Sequence, residues 1–218
     1  MPILVAGLVA AVILLLLPRF LGRRQERMLE QYAVLEKRFG LTRRVSQSRW
    51  GKGIGERYSL YGESRGYPLS LYSHFHKKDR TRTDWTSLTF EALFAGEIEV
   101  RIEFKGTEPG ARFSRREDRG ASAEVAGAKV FASEDLAAIW KDQRVSARLA
   151  SLAKQECPGA IRLSKGFLEY REIGQMEEES QRLRFQEAIL LLGSICDALS
   201  LYMSERTAMA EGVAERFQ

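Results

Sequence analysis

The chain has 218 residues, of which 44% are hydrophobic and 29% charged, with a formal net charge of +5. Once an apolar N-terminal run is set aside, the length is that of one domain with a single core. The two cysteines, Cys157 and Cys196, lack metal-ligand spacing, which excludes a cysteine metal site and leaves structural thiols in a reducing compartment. The charge is uneven: Arg19 to Lys52 holds ten Lys/Arg against three Glu, whereas Glu169 to Gln218 holds five Arg against ten Asp/Glu.

Ile3 to Leu17 contains no polar side chain. A spanning helix needs about 20 mainly apolar residues, and the run reaches that length when extended to Gly22, with Arg19 snorkelling to the headgroups. A cleaved signal peptide would have a positive n-region before the apolar run. Here only Met1 and Pro2 precede it. A buried core helix fits poorly with a run that is apolar all round and followed by Arg19, Arg23, Arg24 and Arg27. These flanking arginines place the N-terminus outside and the bulk of the chain in the cytoplasm, as a single-pass inner-membrane protein. The expected layout is an anchor over 1–22, a basic juxtamembrane helix and linker over 23–55, a cytoplasmic domain over 56–204 and a tail over 205–218.

From Arg23 to Phe39 good helix formers predominate. Met28, Tyr32, Leu35 and Phe39 recur at helical spacing, and Gly40 supplies a stop. The stripe reads as core-facing; a dimer seam is the alternative, over too few heptads for a coiled coil. Thr42 to Gly55 is rich in Ser, Gly, Arg and Lys and reads as a basic linker, with Trp50 either at the membrane interface or in the core.

The pattern then switches to period two. Tyr58 and Leu60, then Leu69 and Leu71, flank Ser64-Arg65-Gly66 as a hairpin. Thr83 to Leu93 reads as a third strand carrying Trp85, Leu88 and Phe90. In the next strand Ile98, Val100, Ile102 and Phe104 alternate with Glu99, Arg101 and Glu103, which predicts a wet charged face. Gly106 to Gly127 reads as a loop, and Lys129 to Phe131 as a short strand. Ser133 is a candidate N-cap for a helix carrying Leu136, Ile139 and Trp140. Val145, Leu149 and Leu152 continue helical spacing to Cys157-Pro158-Gly159. Ala160 to Tyr170 reads as a second hairpin. Phe185, Ile189, Leu192, Cys196, Leu199 and Met203 mark a long last helix across the sheet, with a fraying tail after Ser204. The fold class is therefore α+β: an N-terminal transmembrane helix, then an antiparallel sheet packed against a long C-terminal helix.

The order of pieces, with Gly62-Glu63-Ser64-Arg65-Gly66, Thr86 to Phe90, and Gly166 to Tyr170 before the last helix, resembles a type of bacterial single-pass membrane-anchored protein whose α+β domain has no assigned function. The resemblance implies a fold and transfers no catalytic residue.

Chemistry-bearing patterns are few. His74 and His76 point the same way on a strand and could grip one metal, which would make the protein a metal-dependent enzyme. The adjacent Lys77, Lys78, Arg80 and Arg82 would repel a cation, so no metal is expected. Gly51, Gly53 and Gly55 precede a strand, not a helix, and read as linker instead of phosphate loop. No G-x-S-x-G occurs, Cys157 reads as inert, and Glu177, Glu178 and Glu179 suit a helix N-terminus. No catalytic residue and no cofactor are expected. The candidate anionic-surface contacts are Arg19, Arg23, Arg24, Arg27, Lys77, Lys78, Arg80 and Arg82, with Arg112, Arg115, Arg116 and Arg119 as neighbours. Each such charge near an anionic bilayer contributes on the order of 1 kcal/mol. The expected role is a non-enzymatic membrane-tethered binding or scaffolding module that docks on acidic lipid heads, recruits a protein partner or forms a homo-oligomer. An accessory subunit of a larger membrane complex is the alternative. Nucleic acid is disfavoured, because the aromatics near these charges fall at strand spacing and form no evident stacking platform.

Overall fold

The computed structural model describes residues 22–46, 57–78, 81–113, 121–133 and 136–215. The expected anchor with Arg19, together with Trp50, the Gly51–Gly55 stretch, Arg80, Arg115, Arg116 and Arg119, lies outside the described residues. So do the side chains of His76, Lys77, Lys78 and Arg82.

Helix α1 covers 22–39. Its stripe buries Met28, Tyr32 and Leu35, as the spacing predicts, while Phe39 is half-buried. Gly40 ends it at φ +64°, and the Leu41 N–H reaches back to the Glu36 carbonyl at 3.0 Å. That is the six-to-one bond of a Schellman cap, which needs a left-handed residue at the turn.

A single antiparallel sheet of nine strands follows. In chain order the strands are β1 (Thr42–Ser46), β2 (Arg57–Ser64), β3 (Tyr67–Lys78), β4 (Thr81–Glu91), β5 (Val100–Phe104), β6 (Ala121–Val125), β7 (Ala128–Ala132), β8 (Ala160–Ser164) and β9 (Phe167–Ile173). In space they run β1-β2-β3-β4-β9-β8-β5-β7-β6. Three hairpins close on residue pairs with both φ positive: Arg65-Gly66, Ala126-Gly127 and Lys165-Gly166. This is the two-residue turn whose twist matches that of paired strands. The turns at Arg65-Gly66 and Lys165-Gly166 are where the alternation breaks in the sequence.

One face of the sheet is the core. Register places Leu60, Leu71, Leu88, Tyr170, Ile161, Ile102 and Val130 in one transverse row. All seven are at most 2% exposed. Helices α2 (Ala137–Lys141), α3 (Gln143–Lys154) and α4 (Glu179–Glu215) complete the core with α1. The chain is thus α+β, an antiparallel sheet against a long C-terminal helix.

Several local expectations are corrected. Thr42–Ser46, read as linker, pairs with β2 as an edge strand, where a charged and exposed pattern is tolerated because one side has no neighbour. The stretch read as a loop from Gly106 contains the other edge strand, β6. Arg101, expected on a wet face, is 5% exposed, with its guanidinium 4.2 Å over the Phe131 ring and Nε 3.3 Å from Glu103. A flat cation can be buried in this way when an aromatic face and a carboxylate both meet it. Ser133 Oγ accepts the Glu99 N–H at 3.0 Å, and the residue at the start of α2 is Leu136. Asp142 is the cap that forms, accepting the N–H groups of Arg144 at 2.7 Å and Val145 at 3.3 Å at the start of α3.

Helix α4 carries the expected stripe: Phe185, Ile189, Leu192, Cys196 and Leu199 are buried and Met203 is half-buried. It does not stop where fraying is expected but continues to Glu215. Among the described residues, Glu179–Met209 is the one stretch long and apolar enough to cross a membrane by length and composition. It lies near the C-terminal end, not at the N-terminal end where the sequence reading places a span. Its apolarity has a source within the fold, because 56% of that window is buried and α1, α3 and the sheet enclose it.

Candidate functional site

Helices α1 and α4 lie side by side and run in the same direction. Arg24 Nε donates to Glu177 at 2.5 Å, Arg182 Nε to Gln31 at 2.9 Å and Arg38 to Gln186 at 3.2 Å. Both helices therefore begin at one end of the sheet. The start of α1 is fixed there by Gln25, which donates to the Tyr58 hydroxyl at 2.6 Å near the start of β2. The β3–β4 hairpin closes at the same end, with Lys77 opposite Arg82 and Lys78 opposite Thr81. At its base the Gly174 N–H, four residues before Glu178, donates to the Asp84 carbonyl at 2.8 Å.

Six of the eight candidate contacts belong to elements at this end, three of them with described side chains. Arg23 is exposed. Arg24 and Arg27 are ion-paired with Glu177, at 2.5 and 3.8 Å. Such half-exposed pairs are worth about 0–1 kcal/mol, so they orient the arginines without consuming them. Lys77, Lys78 and Arg82 belong to the same end by backbone position. Arg112 lies farther up the sheet, its carbonyl accepting from Arg171 at 2.8 Å and its guanidinium 3.8 Å from Glu103.

His74 is enclosed by aromatic side chains. Its ring is stacked on Trp85, 6.5 Å between centroids and 12° between planes, with Tyr72 at 5.5 Å. Among the described residues no group of three or more His, Cys, Asp or Glu is placed to hold an ion.

One polar cluster was not legible in the sequence. Glu172, 1% exposed, receives Arg184 through Nε and Nη2, both at 2.8 Å. It also accepts a short hydrogen bond from the Tyr170 hydroxyl, and that hydroxyl lies 3.2 Å from Cys157 Sγ. The signal available was a glutamate in register with core-facing Leu168 and Tyr170 on β9. Burial pushes the Cys157 thiol up to about 12, the nearby carboxylate adding to this and the Tyr170 hydrogen bond opposing it. Burial likewise pushes Tyr32 up to about 12, against hydrogen bonds to Ser73 and Thr86. A thiol held neutral and enclosed is no nucleophile at neutral pH.

These shifts set a sign for pH. Between the ordinary values, 9.0 for the thiol and 10.0 for the tyrosine, and about 12, the unfolded chain has lost protons that the folded chain keeps. Stability is unaffected by these groups below about pH 9 and falls above it, by up to about 1.4 kcal/mol per pH unit for each. Urea titrations at stepped pH should show this decline, and a midpoint that stays level from pH 8 to about 11 would contradict it.

The basic end, the paired histidine strand and the buried glutamate cluster are thus the chemistry-bearing places of this fold. Comparison with known proteins adds no relative to them: no family model, no curated protein and no solved structure matches this chain.

Proposed function

We propose that the protein is a membrane-tethered, non-enzymatic docking module of the inner membrane. In this reading residues 1–22 anchor it once, the N-terminus is outside, and the described domain rests its basic end on acidic lipid heads from the cytoplasmic side. The observation that carries the reading is positional. The start of α1 and the β3–β4 hairpin, far apart in sequence, share the end of the domain from which the first 21 residues depart. A bilayer at that end would meet Arg23 and the backbone positions of Lys77, Lys78 and Arg82, with Arg24 and Arg27 held by Glu177.

The test is co-sedimentation of a chain starting at Gly22 with vesicles of neutral and anionic phospholipid; that chain keeps the whole core from Met28 to Leu199. Attachment is expected to require anionic lipid and to fall steeply between about 0.1 and 1 M salt, where the screening length shrinks from about 10 to about 3 Å. Replacing Lys77, Lys78, Arg80 and Arg82 by Gln should weaken it about tenfold or more. No salt-sensitive attachment to anionic vesicles removes the reading.

A further inference from the structure

Opposite the helices, Phe113 covers the part of the sheet that carries Arg162 and Arg171, while Phe167 stands 45% exposed, and the face is not uniformly charged. Register places Tyr61, Ser70, Thr89, Glu169, Arg162, Arg101 and Phe131 in one transverse row on that face. At sheet spacing the four central groups, two hydroxyls, a carboxylate and a guanidinium, stand about 4.8 Å apart. They form the floor of a groove whose sides carry Tyr72 and Phe167.

The floor is held in place. Glu169 accepts from Ser87 Oγ at 3.0 Å and stands 3.5 Å from Arg162, whose guanidinium lies 4.5 Å over the Phe113 ring. Ser164, at the groove's rim, donates to Glu99 at 2.8 Å. Side chains fixed by their neighbours lose little freedom when a ligand arrives. The flanking rings serve no core: both face away from it, and Phe167 is 45% exposed. Tyr72 and Phe167 are two strands and four residues apart in register, which puts them roughly 17 Å apart.

We propose that this groove binds a neutral oligosaccharide, a trisaccharide or longer. Charge decides against the other classes. Arg162 stands 3.5 Å from Glu169, and Glu99 meets Ser164 at the rim, so a polyanion would meet carboxylates and a lipid tail would meet hydroxyls. A sugar has hydroxyl edges that both donate and accept, which suits a row of Ser, Thr, Glu and Arg. It also has an apolar C–H face that covers an aromatic ring. A single hexose cannot touch both rings, whereas a short chain of sugars can. Among the described residues the groove contains no pair of groups arranged to cleave a glycosidic bond, since the carboxylate that lines it, Glu169, is committed to Arg162 and Ser87. The activity is binding.

This inference is independent of docking on lipid, because it uses a different face. The full chain, kept in a detergent without sugar headgroups, is titrated with trisaccharides of glucose, galactose, mannose and N-acetylglucosamine. Heat release and tryptophan fluorescence are followed together, the latter because Trp85 stands in the register row next to Tyr72 and Ser87. Saturable binding of at least one trisaccharide is expected. It should weaken about tenfold or more in Phe167→Ala, Tyr72→Ala and Glu169→Gln, with the thermal midpoint of the first two close to that of the parent chain, since their side chains lie outside the core. The matching monosaccharide should bind at least about tenfold more weakly. No saturable response from any of the four up to about 10 mM overturns the inference. So does binding that ignores the three substitutions, or equal binding of the monosaccharide.

Discussion

A chain that starts at Thr42 is expected to lose cooperative folding, although a reading of the sequence could treat everything before that point as a stalk. Removing α1 strips Met28, Tyr32 and Leu35 from the core, each at most 7% exposed. Each such side chain contributes about 1.5–3 kcal/mol on burial. The cut also removes Gln31 from Arg182 and Tyr32 from its hydroxyl chain, in which Tyr32 meets Ser73 at 2.9 Å and Thr86 donates to the Gly174 carbonyl at 2.9 Å. It uncovers Tyr58 at the same time, whose ring lies 6.0 Å from that of Tyr32. Whole domains are stable by only about 5–15 kcal/mol, so the loss is comparable with the total. Urea unfolding followed by circular dichroism decides it. A sharp transition at the midpoint of the chain starting at Gly22 would show that α1 is dispensable.

The second large effect concerns Glu172. Glu172→Ala should destabilise the domain by about 3–5 kcal/mol, because it leaves the Arg184 guanidinium with no counter-charge in a low-dielectric site and the Tyr170 hydroxyl without its acceptor. The side chains of Arg184 and Glu172 are 15% and 1% exposed, so water offers little substitute. Replacing both residues by Leu should recover much of the loss, since an apolar pair has no charge to desolvate. Denaturant midpoints of the two variants and the parent test this. A Glu172→Ala cost under about 1 kcal/mol would mean that the site relaxes enough to admit water, and the network would then be a surface feature.

What was legible in the sequence follows from period. Leu60, Leu71, Leu88 and Ile102 lie at positions whose neighbours are polar, so the alternation alone marks their strands, and Arg65-Gly66 and Lys165-Gly166 mark where those strands must turn. The stripe from Phe185 to Leu199 is equally plain, since it repeats at helical spacing over four turns. The basic end was legible in its parts but not as a whole: Arg23 and Lys77 are each visible as basic flanks, and nothing in the order of residues says that they share one end.

The misses have one cause. Thr42–Ser46 and Ala121–Val125 have weak strand patterns, and they become strands because β2 and β7 present unpaired backbone edges to them. Arg101 looks like a solvated charge until Phe131 and Glu103 arrive beside it from a partner strand and its own. Ser133 has the residue type of a helix cap, yet the backbone N–H of Glu99, far off in sequence, donates to its oxygen. Glu172 shares the core-facing side of β9 with Tyr170, and the charge that lets it be buried comes from Arg184 on α4.

Composition and periodicity by themselves determined the class of the fold, the positions of most strands and of the last helix, and the concentration of positive charge near the start of the chain. These depend on near neighbours, and backbone geometry sets their repeat. Only the tertiary structure decided the edge strands, the burial of Arg101 and Glu172, the direction shared by α1 and α4, and the row of polar groups on the sheet face opposite the helices. Those depend on which distant segments meet, because the environment of a side chain, its dielectric and its hydrogen-bond partners are supplied by residues that lie beside it in space.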